Sequence, residues 1–304
     1  MFLKKSLLFI CFYFLQISVF LAADYYWIGG SGNWSDPQKW ALISGGAPAG
    51  SIPTGLDNAI FDGQSFSLPN QQVIIDDSTS INLMDWSLCT NSPELILDTN
   101  LFINGNTTFH PSMIVHSNNI AFRIQFLAQS SFNPNGALID CNISIYLNND
   151  IETLDLNNNL LMSDSSTIFL MKGELKTNNN DITSGIVNIV DVDSTSKKSL
   201  TLGSSEINLS IGFYALNIID SNFTFNAGIS LISIGDSNYV NYLNSDSLTF
   251  YDIHLNFDTT SSQQTLKGNN IYNKLIINKG SKIKIDSASI HTVNDSLIFS
   301  GTCI

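Results

Sequence analysis

The chain has 304 residues, 43% of them apolar and only 13% charged, enough for one sizeable hydrophobic core. Its formal net charge is −13 and it holds a single arginine, Arg123. That balance argues against a nucleic-acid reader, which needs a basic footprint, and against an enzyme that clamps phosphates or carboxylates through paired arginines.

Residues 1–23 read as a secretory signal peptide. Lys4 and Lys5 precede an apolar run over 6–20, and Leu21-Ala22-Ala23 supplies small residues for cleavage. An uncleaved anchor is the alternative, because the run approaches the length of a bilayer span. Cleavage removes two of 13 cationic residues and no acid, so the mature chain carries 11 − 26 = −15. The expected location is secreted or at the extracellular cell surface, with no membrane span after cleavage.

Residues 24–70 form a Trp- and Gly-rich opening, YYWIGGSGNWSDPQKWALISGG, closed by IPTGLDNAIFD. Glycines permit turns with positive φ, and tryptophans are large apolar plugs with one polar handle each. Trp27, Trp34 and Trp40 therefore read as an amino-terminal cap. The competing reading is a platform on which sugar rings stack.

From 71 to 304 the texture is uniform. Short polar–apolar alternations recur at 81–83, 95–97, 142–146, 153–156, 199–202, 206–209, 222–225, 247–250, 254–257, 274–277, 282–285 and 296–299, separated by Asn, Asp, Ser and Gly turns. No segment holds helical spacing for three turns. The 35 asparagines, with runs at 157–159 and 178–180, suit left-handed corners and stacked amide ladders. The pattern predicts an all-β, right-handed parallel β-helix with coils of roughly 20–25 residues, about nine to ten rungs. A sandwich with two facing sheets is the rival architecture. The sequence stops at Ser300-Gly-Thr-Cys-Ile304 directly behind a strand pattern, which reads as an apparent carboxy-terminal truncation.

The opening motif resembles a module of large secreted repeat and adhesin-like cell-surface proteins of gliding bacteria, exported by type IX secretion. Trp27, Gly29, Gly30, Gly32, Trp34, Asp36, Trp40, Pro53, Asp57, Asn58 and Phe61 fall on that pattern. The stretch from FNAGISLISIGDSN to SLIFSGT is also similar to their repeats. The resemblance implies a parallel β-helix at the cell surface and supplies no catalytic residue. No type IX sorting domain is recognised in this sequence.

Several residues invite sharper readings. Asp76-Asp77 is half of a calcium site at most, since calcium takes six to eight oxygens, and a turn is the simpler role. Asp191 and Asp193 are spaced like a glycosidase pair, but neighbouring Ser, Thr, Lys197 and Lys198 point to a solvated loop. His110 and His116 lack a patterned third ligand, and His254 and His291 read as outward polar positions beside strands. Cys89, Cys141 and Cys303 remain after signal removal, an odd number without metal spacing, and their pairing is open. No catalytic, cofactor-binding or metal residue is assigned. The expected function is a non-enzymatic, structural or adhesin-like stalk whose partners are polysaccharide or cell-surface components. A carbohydrate-active β-helix enzyme, lyase or hydrolase, is the alternative.

Overall fold

The computed structural model describes residues 22–215, 222–235, 242–245, 247–256, 263–278 and 282–300. Residues 1–21, which hold most of the expected signal peptide and Cys11, and the segment 301–304, with Cys303, lie outside the described residues. The chain is a parallel β-solenoid of about nine turns. Each turn contributes strands to three ladders, and register partners lie one coil apart in sequence. Leu95 pairs with Val115 (115 − 95 = 20) and Ile207 with Ile232 (232 − 207 = 25), the two ends of the predicted repeat range, but Ile168 pairs with Val187 (187 − 168 = 19) and Phe213 with Leu243 (243 − 213 = 30), so the coils are more uneven than predicted.

Alternation decides which side chains enter. One inward column runs Leu101, Ile124, Ile143, Ile168, Val187, Phe213, Leu243 and Leu266, each in register with the next. None of the eight is more than 3% exposed. Burying such a side chain contributes about 1.5–3 kcal/mol, so the column carries much of the stability. With neighbouring strands about 4.8 Å apart, nine turns make a rod on the order of 43 Å long.

Asparagine works at the corners. Asn70, Asn91, Asn135 and Asn178 have φ between 52° and 68°, all just before strands of one ladder. Asn91, Asn135 and Asn180 also donate their amides to Phe66, Phe109 and Leu156 carbonyls of the preceding turn. Later turns place Gly203 and Gly228 at the same corner, with φ of 61° and 58°. A Cβ on Gly228 would lie 2.2 Å from the Gly203 carbonyl oxygen. The close stacking of backbone at this corner therefore requires glycine.

The structure departs from the short-strand reading in the middle turns. Thr167–Lys176, Ile182–Ile189 and Glu206–Ala215 are long strands that cross from one ladder to another. Each bends instead of breaking. The register slips between Ser184 and Ile186, and Gly173 takes φ 86° where the first strand changes face. A bulge changes strand direction without a turn sequence, so nothing announces it in the composition.

The Trp-rich opening is continuous with the solenoid. Asp24–Trp27 pairs in parallel with Asn58–Ile60, which pairs in parallel with Leu83–Asp85. On its other side Asp24–Trp27 meets Trp40–Ala41 running antiparallel, with Trp27 opposite Trp40. A reversed two-residue strand thus covers that edge of the first turn, where an uncovered ladder would recruit another chain.

Candidate functional site

The three tryptophans singled out by the sequence are buried, Trp27 and Trp40 fully and Trp34 to within 1%. They pack edge to face, Trp27 with Trp40 at 5.0 Å between centroids and Trp34 with Trp40 at 4.6 Å. Trp27 Nε1 donates to the Gly30 carbonyl at 2.7 Å, and Trp40 Nε1 to the Trp34 carbonyl at 2.9 Å. Phe61 lies beneath them and stacks on Trp86, 3.5 Å between centroids and 7° between planes. With these faces turned inward, no indole of the three offers a flat surface for a sugar.

The acidic candidates are taken up locally. Asp76 accepts from the Ser35 hydroxyl and amide across one turn, at 2.5 and 3.1 Å. Partial burial pushes its carboxyl up, and the Ser35 and Asn33 hydrogen bonds outweigh that and hold it below the ordinary value. Asp77 accepts from the Ser78 amide. Asp193 accepts from the hydroxyls and amides of both Thr195 and Ser196, which together hold it far below the usual carboxylate range. Asp191 is paired with Lys198.

Lys198 is a core residue and not part of the solvated loop that the sequence pattern predicts around Asp191 and Asp193. It begins the strand Lys198–Thr201, where alternation turns it and Leu200 inward, and it is 2% exposed. Its ammonium donates to Asp191 and to the Ser196 carbonyl, so the loop over 191–197 folds back as a lid over a core cation. Its place in the alternation is the one sequence feature that marks it as inward, and lysine at such a place is usually outward.

The histidines do not converge. His110 accepts from the Ser112 amide, and His116 lies in register between Ile96 and Asp140. His254 bonds Asn278 at 2.9 Å on the next turn. His291 is not a free outward position: it bonds the buried Tyr272 hydroxyl at 3.0 Å and stacks on that ring. Burial pulls its pKa down. Cys89 and Cys141 are free and buried, and burial pushes both thiols up to about 12. Among the described residues no three His, Cys, Asp or Glu gather into a metal-holding group, and no helix is long and apolar enough to cross a membrane.

The lateral surface carries the more ordered chemistry. On one face a single outward column runs Ser80, Phe102, Gln125, Ser144, Phe169, Asn188, Tyr214, Asn244 and Lys267, register by register. Phe102, Phe169 and Tyr214 are half-buried rings separated by amides and a hydroxyl. The Arg123 guanidinium lies 5.3 Å from the Phe169 centroid. Ser144 Oγ and Asn244 Oδ1 are buried in this column without a hydrogen-bond partner among the described residues. A second outward column aligns the exposed Ile114, Leu138 and Leu161.

Among the described residues, two clefts between turns stand out. One, of about 180 Å³, is lined by Asp164, Thr183, Ser184, Asn208 and Ser210 among others. The other, of about 280 Å³, lies near the end of the described solenoid beside Phe225 and Tyr251.

No protein-family profile, curated protein or solved structure matches this chain.

Proposed function

We propose that this is a non-enzymatic extracellular protein, secreted or held at the cell surface, that works as a β-helical stalk for adhesion or glycan contact. The observation that carries the reading is the outward column from Phe102 through Phe169 to Tyr214. Backbone ladders hold these rings and the intervening Gln125 and Asn188 in register on a stiff face. Aromatic faces take the C–H faces of sugars, and amides exchange hydrogen bonds with hydroxyls. Phe169 and Tyr214 are two steps apart, on the order of 9.6 Å, within reach of one short saccharide. The signal-like amino terminus and the resemblance of the opening motif to adhesin-like proteins of gliding bacteria support the same reading.

The rival is a carbohydrate-active enzyme, and the cleft around Asp164 is where it would act. Both common glycosidase mechanisms use a pair of carboxyl groups, and Asp164 is the one acid lining that cleft among the described residues. The test is retention of the purified protein on a panel of insoluble polysaccharides, with parallel assay for new reducing ends. Retention that falls in Phe169→Ala and Tyr214→Ala, without product formation, supports the stalk. Product formation abolished by Asp164→Asn overturns it.

A further inference from the structure

We infer that the cleft between Phe223–Asn226 and Thr249–Leu255 is a binding site for a neutral sugar ring, a discrete site distinct from the lateral column. The inference rests on the glycan-contact reading above and names a ligand class and a place for it.

The cleft begins as a break in the fold. Phe223–Asn226 pairs with Lys198–Thr201 on the preceding turn, and among the described residues no ladder joins it to Thr249–Leu255 on the next. Elsewhere along this ladder, from Asp24–Trp27 to Lys198–Thr201, successive strands are bonded directly. The gap leaves about 280 Å³ bordered by a sheet edge, at the small end of ligand sites.

Its lining has a distinct chemistry. Phe225 and Tyr251 supply aromatic surface, over a floor made by the buried Phe250, whose ring is 5.1 Å from that of Phe225. Asn226, Asn273 and Asn294 supply three amides, the last two from successive turns. Asn273 donates to Asp252 Oδ1 at 2.9 Å, which fixes the orientation of its amide before any ligand arrives. No lining side chain is charged, in a chain of net charge −13.

That composition selects the ligand class. A pyranose presents an apolar C–H face and a rim of hydroxyls that both donate and accept. Aromatic rings take the first, and amides, which also both donate and accept, take the second. A phosphate or uronate finds no cation here and meets the field of an acidic protein, so the site favours uncharged rings. The cleft at Asp164 has no aromatic residue in its lining, which makes it the poorer candidate.

The experiment is calorimetric titration of the full purified protein with neutral gluco-, manno- and galacto-trisaccharides and with trigalacturonate. At least one neutral trisaccharide is expected to bind with little dependence on salt, and trigalacturonate at least tenfold more weakly. Tyr251→Ala and Asn273→Ala should each weaken binding at least tenfold. Thr249→Trp, which fills the cleft from an exposed position and removes no core packing, should abolish it while leaving the melting temperature near the parent value. Retention on insoluble polysaccharide through the lateral column should persist in all three variants. Absence of binding by every neutral trisaccharide, tighter binding of trigalacturonate, or unchanged affinity in Thr249→Trp overturns the cleft assignment. If trisaccharide binding is instead lost in Phe169→Ala, the cleft assignment fails and the lateral-surface reading stands. If the parent is retained on no polysaccharide, the lateral-surface reading fails by itself.

Discussion

The Lys198 ammonium is sealed inside the solenoid against the Asp191 carboxylate, with its side chain fully buried and that of Asp191 26% exposed. A buried charge is tolerated only when paired, and removing one partner leaves the other uncompensated. Asp191→Asn is expected to cost about 3 kcal/mol, the low end for a buried pair because Asp191 touches water. Lys198→Met removes the charge and keeps the volume, so it should be neutral or stabilising. Urea denaturation of both variants checks this. A milder effect from Asp191→Asn than from Lys198→Met would show that the pair does not govern this site.

Trp34 and Trp40 pack at the covered end of the rod. Replacing a buried tryptophan by alanine costs roughly 3–5 kcal/mol, a large fraction of a typical domain's stability. Trp34→Ala should melt well below the parent and associate as the first ladder edge loosens. Thermal melting with light scattering tests it. A variant that melts like the parent but loses polysaccharide retention would make the tryptophans a ligand platform.

The Tyr272–His291 pair sets a pH response. Burial depresses the His291 pKa below the ordinary 6.5, so the unfolded chain binds the proton more readily than the folded one. Its contribution is complete above about pH 6.5 and is lost as pH falls toward the depressed folded value. Stability should therefore slope downward as pH drops below neutrality, and His291→Phe should flatten that slope. A second fall is expected below the ordinary carboxylate value of 3.8, where Asp57, Asp76 and Asp193, all held low in the fold, take up protons. Denaturant midpoints from pH 1.5 to 8 resolve the two regions.

Cys89 and Cys141 have buried thiols with strongly raised pKa values. The thiolate is the reactive form, so both should be inert in the folded protein. In a Cys303→Ser form of residues 24–304, a chromogenic disulfide reagent should react with two thiols only after denaturant is added. Rapid labelling at pH 8 without denaturant would contradict the burial.

The strand over 142–146 and the tryptophans were readable for the same reason: side-chain alternation and large apolar residues act locally. Period-two patterning, 35 asparagines and a 20–25-residue rhythm were sufficient for a parallel solenoid, because each coil must bury one face of every short strand. What the coils bring together was not readable. The Phe102–Phe169–Tyr214 column depends on register across coils of unequal length, which local composition does not encode. Lys198 enters the core because its strand phase and the returning Asp191 loop are decided together. The cleft beside Tyr251 exists because one ladder fails to close between Asn226 and Thr249, a property of two turns and of no single segment. Alternation and turn chemistry are carried by neighbours in sequence, and so the sequence alone determined the architecture. Register, bulges and ladder gaps are carried by residues about one coil apart, and so only the tertiary structure decided where the candidate surfaces lie.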